Sequence, residues 1–179
     1  MQHISTSEPT HKFAISLANE QSRHAVDEQA LVAAARAVLE ESHFDSADVS
    51  LVVMDDATIH ELNRRHLNHD WPTDVLSFVL EEHDGHLEGE VIISADTAAA
   101  AAAEVGWAAS AEQLLYVIHG VLHLVGYRDE AAAEEREMRA AEAAFLRKMG
   151  LEPPRGWDDG DRGSTGVGAG SLHPGATAR

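Results

Sequence analysis

Residues 111–129 read AEQLLYVIHGVLHLVGYRD, and this stretch decides the fold. Leu114, Leu115, Val117, Ile118, Val121, Leu122, Leu124 and Val125 leave almost no polar face, so the segment is predicted to be a helix in the interior of a packed domain. Ser110 with Gln113 three residues on has a capping-box pattern, and Gly126 supplies the stop. Within this helix stand His119 and His123. Four residues apart, they share one face, and their imidazoles can reach one ion at ~2.0–2.1 Å. After the glycine stop a turning chain brings Asp129 toward the same place. The layout H-x-x-x-H-x-x-G-x-x-D thus offers two nitrogens and one oxygen, with a fourth position open to water. Zinc accepts that set, as do manganese and iron. A core histidine satisfied by a carbonyl explains one buried imidazole better than two on one face, because each needs its own partner. The zinc-peptidase pattern H-E-x-x-H sets a glutamate base directly after the first histidine. Here that position is Gly120, so the ligands are peptidase-like and the base is missing.

On the N-terminal side, Phe13, Ile15 and Leu17 alternate as in a half-buried strand near a sheet edge. Asp27 is a plausible N-cap for a helix running to about Ser42, with Leu31, Ala34, Ala35, Val38 and Leu39 inward. Val49–Met54 is short and nearly all apolar, the mark of a strand covered on both faces. Asp55-Asp56 then caps a second helix bearing Ile59, Leu62 and His66. Pro72 disfavours helix at Trp71. Val75–Leu80 and Glu90–Ser94 read as antiparallel strands joined through the turn residues Asp84-Gly85. His83 and His86, which flank that turn, are expected to be exposed. The alanine run over 95–105 is a strong helix former. Beyond the central helix, Met138, Ala141, Phe145 and Met149 define a last helix on the surface of the core, with Glu134, Glu135 and Glu137 facing solvent. After Leu151 the chain turns to Pro, Gly, Ser and Asp, which cannot offset its ordering entropy. Residues 152–179 are therefore expected to be a disordered tail whose removal leaves the melting temperature almost unchanged, and residues 1–151 the folded domain.

Composition sets outer limits. The chain has 179 residues, 44% hydrophobic and 25% charged, as in an ordinary globular domain. Its 13 Lys+Arg against 31 Asp+Glu give a net charge of −18, so nucleic-acid contact has to be local. With no cysteine, disulfides, thiolate nucleophiles and cysteine-bound metals are excluded. No secretory leader or membrane-length apolar run is visible, and the expected location is cytoplasmic.

The residues also carry a resemblance. His119 to Asp129 (HGVLHLVGYRD) is similar to H-G-x-L-H-L-x-G-Y-D-H, the signature of the YbeY family of rRNA maturation endoribonucleases. Glu61-Leu62-Asn63, the block DWPTDVLSF from Asp70 to Phe78, and GEVIIS from Gly89 to Ser94 resemble further family blocks in the same order. The resemblance runs from about Val49 to Leu151. It implies a single α+β domain with a mixed, roughly four-stranded sheet, about five helices and a zincin-like metal helix. It further implies a single-strand-specific, metal-dependent endoribonuclease acting in 3′-end maturation of small-subunit (16S) rRNA and in ribosome quality control. One divalent metal, zinc foremost, would be held by His119, His123 and Asp129, which are also the catalytic residues through the metal's bound water. Single-stranded rRNA and the ribosome or its proteins are the implied partners, with no membrane and no nucleotide cofactor. The chain departs from the family at three places. Asp129 stands where the family has its third histidine ligand, Arg128 replaces the acid before it, and Leu67 replaces an arginine near Asn63.

Arg64, Arg65 and His69 belong to the most cationic stretch of this acidic chain and are the candidates for gripping RNA phosphates, against the plainer reading of a solvated helix face. Asp74 and Ser77 are candidates for orienting substrate, against capping a turn and lying in a strand. Two other classes compete with the nuclease: a metalloprotease-like hydrolase, disfavoured by Gly120, and a non-catalytic ribosome-associated protein with a structural metal.

Overall fold

The computed structural model describes residues 12–67, 73–153 and 157, with side chains for all of these but 63–67. The alternating Phe13, Ile15 and Leu17 form β1 (Phe13–Asn19). Asp27 caps α1 (Glu28–Glu40), its carboxylate accepting from the Ala30 amide at 3.0 Å. β2 (Ser46–Met54) follows, and Asp55 accepts from the Thr58 amide at 2.8 Å where α2 (Asp56–Leu67) begins. β3 (Val75–His83) and β4 (His86–Ser94) meet across Asp84 and Gly85, whose φ values of 46° and 79° make the tight hairpin turn expected of that pair. Ser94 caps α3 (Ala95–Val105), and then come α4 (Ala109–Leu124) and α5 (Ala132–Lys148).

Two local expectations change. α4 starts with Ala108 at its N-cap and without a side-chain cap bond, so Ser110 lies inside the first turn and does not close a capping box. β2, β3 and β4 reach beyond their apolar letters, because backbone pairing continues through polar residues such as Ser46↔His86 and Glu82↔Leu87. His86 is half-buried, its Nδ1 2.8 Å from Ser46 Oγ, whereas His83 is exposed as expected.

The sheet order is β1-β2-β4-β3. β1 and β4 both run parallel to β2, while β3 is antiparallel to β4 and carries an irregularity between Val79 and Glu81. β2 is therefore central, which explains its apolar run on both faces. One face, through Val49, Leu51, Val53, Val91 and Ile93, packs on α1 and α4 in the main core. The other, through Leu76 and Ile92, packs on Ile59 and Leu62 of α2 in a small second cluster. α3 and α5 flank α4.

α4 comes very close to the sheet because glycines clear the way. A Cβ on Gly120 would stand 2.4 Å from Val91 Cγ1, and one on Gly89 of β4 would stand 2.9 Å from Leu124 Cδ1. Ser77 Oγ on β3 donates to the Gly120 carbonyl at 3.1 Å. Among the described residues no helix is long and apolar enough to cross a membrane.

Trp157 falls within the stretch read from sequence as a tail, yet it is only 7% exposed and belongs to the main core. The other tail residues from 154 onward, like residues 1–11, lie outside the described ones. A single aromatic in a Gly/Pro-rich setting gives no periodic signal, so pattern reading passes over it. Removing residues 152–179 is expected to lower the melting temperature by several degrees, since losing a buried Trp costs about 3–5 kcal/mol and a domain of this size loses about 2–4 °C per kcal/mol. Scanning calorimetry of the truncated and whole chains checks this. Gly120→Ala should cost about 1–3 kcal/mol in a urea titration, because the added methyl has to push Val91 aside.

Candidate metal centre

The apolar stripe of α4 drives that helix into the core, and His119 and His123 stand on its C-terminal half, where His119 meets Glu142 of α5. Gly126, at φ 103°, then turns the chain so that Asp129 returns toward them. His119 Nε2 and His123 Nε2 are 3.0 Å apart, and Asp129 Oδ2 lies 3.9 Å from the first and 3.6 Å from the second. All three side chains are largely buried, between 12% and 15% exposed.

The outer nitrogens are held by acceptors. His119 Nδ1 is 2.7 Å from Glu142 Oε1, and His123 Nδ1 is 3.0 Å from the Tyr127 carbonyl. A carbonyl and a carboxylate only accept, so each Nδ1 carries a proton, and in the neutral ring Nε2 is the lone pair left for an ion. With both rings neutral, two imidazole lone pairs and a carboxylate oxygen thus converge on one point. That is a ligand set for a cation, and among the described residues it is the one group of three or more His, Asp or Glu with ligand atoms all within 4.8 Å of one another.

The ionisation of the site points the same way. Burial pushes His119 down, but the hydrogen bond and charge of Glu142, with Asp74 and Asp129 behind them, hold it above the ordinary imidazole value. Burial pushes Asp129 up, and the two imidazoles outweigh it, leaving the carboxyl below its usual range. The site therefore stabilises positive charge between its ligands and negative charge on Asp129.

The remaining candidates separate. Asp74 is buried just before β3, accepting from the Val75 amide at 3.0 Å, and desolvation raises its pKa against the pull of His119. Ser77 donates its hydroxyl hydrogen to Gly120, which ties sheet to helix. Arg64 and Arg65 lie on α2, whose apolar residues pack on the sheet face opposite α4, and their side chains are not among those described. His69 lies outside the described residues. Gly120 is fixed by the closeness of the sheet, so the position that carries the base in a zinc peptidase has no room here for any side chain.

Sequence reading missed two groups. Glu142 is 4% exposed on α5 and Trp157 Nε1 donates to its Oε2 at 3.1 Å. The signal for Glu142 was present: it stands four residues after Met138 and four before Leu146, on the apolar stripe of α5 rather than on its charged face.

Comparison with known proteins bears on what this centre does. The family model Endoribonuclease YbeY matches residues 16–150. The chain belongs to the endoribonuclease YbeY family. That family acts in rRNA maturation. An Endoribonuclease YbeY of Syntrophotalea carbinolica is 38% identical over 143 residues, covering 75% of this chain and 95% of its own. One of Rhodopirellula baltica is 43% identical over 117 residues, covering 64% of this chain and 60% of its own length. The solution structure of TM1509 from Thermotoga maritima superposes with a TM-score of 0.53 at 28% identity, covering 76% of this chain and 88% of that one. The expected α+β fold with four strands and five helices is borne out.

His123→Ala is expected to abolish retention of zinc by the purified protein, measured by elemental analysis after dialysis. Lowering the pH through the histidine range should release the ion from the unaltered chain, because both imidazoles have to be deprotonated to bind it.

Proposed function

We propose that the protein is a single-strand-specific, zinc-dependent endoribonuclease acting in 3′-end maturation of 16S rRNA and in ribosome quality control, in the cytoplasm. The observation that carries this reading is the convergence of His119 Nε2, His123 Nε2 and Asp129 Oδ2 in a chain of the YbeY family. A divalent cation bound there supplies Lewis acidity toward a phosphoryl oxygen and lowers the pKa of a coordinated water.

The chain's own residues do the rest. His119 and His123 are locked as Nε2 ligands by Glu142 and the Tyr127 carbonyl. Asp129 adds a hard oxygen where the family signature has histidine, which shifts preference toward metals that favour oxygen. Asp74 contributes buried charge or a proton near His119, and Ser77 sets the spacing of β3 and α4. Arg64, Arg65 and His69 position RNA phosphates, and they stand in for the guanidinium absent at Leu67. A net charge of −18 opposes tight unaided RNA binding, so the ribosome or one of its proteins supplies much of the affinity. A peptidase is disfavoured because Gly120 is closed off by Val91 and Ser77.

The test is cleavage of single-stranded and duplex rRNA fragments by protein stripped of metal and then reloaded with zinc or manganese, beside a casein control. Cleavage of the single strand that chelator abolishes supports the proposal. A zinc-loaded protein that binds ribosomes and cuts no RNA makes it a non-catalytic ribosome-associated protein. Neutralising Arg64 and Arg65 together is expected to raise the RNA concentration needed for half-maximal rate and flatten its salt dependence, with metal content intact.

A further inference from the structure

Glu142 sits behind the metal centre, buried, with both carboxylate oxygens engaged. Oε1 faces His119 Nδ1 at 2.7 Å, and Oε2 accepts from Trp157 Nε1 at 3.1 Å. Both partners are N–H donors, so the position calls for two acceptors side by side, which a carboxylate has and an amide lacks. Trp157 is itself buried in the main core, and the Arg139 guanidinium lies 5.8 Å from the centre of its ring. Arg139 and Glu142 are three residues apart on α5, so one helix face grips the indole at its ring and at its nitrogen. A chain of contacts thus runs from the C-terminal segment through Glu142 to a ligand of the metal.

We propose that Glu142 is the positioning residue of this centre and that Trp157 sets it, so that the C-terminal segment governs metal affinity through the orientation and tautomer of His119. The inference rests on the metal-centre reading above. If Glu142 is lost, His119 is free to carry its proton on Nε2, and the lone pair aimed at the ion is gone. If Trp157 loses its indole nitrogen, Oε2 is left buried without a donor and the carboxylate is free to rotate away from His119.

The test uses the full chain with Glu142→Gln, Trp157→Phe and both together. Zinc affinity is read by competition with a fluorescent chelator, and the tautomer of His119 by nitrogen-15 NMR of the metal-free protein above the imidazole pKa. Circular dichroism checks that each variant is folded. Glu142→Gln is expected to weaken zinc binding by about 10–100-fold and to move His119 from the Nδ1–H form to a mixture. Trp157→Phe should weaken it several-fold, with little added when combined with Glu142→Gln, since the two act through one path. Trp157→Phe keeps the aromatic bulk and so gives the answer even where Glu142→Gln fails to fold. Zinc affinities within about twofold of the unaltered protein and an unchanged His119 tautomer overturn the proposal. If the unaltered protein binds no zinc, the metal-centre reading has failed instead, and the tautomer measurement, made without metal, tells the two failures apart.

Discussion

The contact on which the molecule depends is the approach of α4 to the sheet at Gly120. There a methyl group would collide with Val91, and the Ser77 hydroxyl binds the glycine's carbonyl directly. Successive residues on a helix are turned by about 100°, so fixing Gly120 against β3 and β4 turns His119 to the side of the helix that meets α5. There it meets Glu142. The same glycine that seats the helix closes the position where a peptidase would keep its base. Structure and chemistry are thus settled by one missing side chain. Gly89 repeats the device from the strand side, two residues before Val91 on β4, letting Leu124 sink onto that strand near the end of the histidine-bearing half of the helix.

Much of this was legible in the order of residues. Helical spacing located α1, α2, α4 and α5, alanine content located α3, and the two-residue Asp84-Gly85 turn announced the β3–β4 hairpin. The apolar run of Val49–Met54 pointed to a covered strand, and β2 is central. The clustering of His119, His123 and Asp129 was also readable, because helix periodicity and a glycine stop act over short distances. What escaped was non-local. The parallel pairing of β1 with β2 and of β2 with β4 joins segments dozens of residues apart, and nothing in their letters names the partner. Glu142 and Trp157 acquire meaning only when α5 lies beside α4. The polar ends of the strands were missed because backbone pairing holds them, independent of side-chain pattern.

The electrostatics of the centre have two sides. Asp129 and Glu142 put two carboxylates around two imidazoles in a largely buried space, in a protein already strongly acidic. Such a place attracts a divalent cation and repels a phosphodiester, so cation binding and substrate approach are linked by charge before any chemistry begins. Asp74 sits close enough to be felt by His119, and its burial raises its pKa against that pull.

The outer strand β3 carries a different kind of consequence. Among the described residues β3 is an edge strand, and Val79 and Leu80 on it are 41% and 60% exposed. Such an edge invites another strand, and with it growth into aggregates. The irregular register between Val79 and Glu81 bends the strand just where those apolar residues stand, and Glu81 and Glu82 follow them at once with exposed charge. A second copy approaching edge to edge meets a kinked template and like charges. The outer edge is thus guarded against a second copy by its shape and by its charge together.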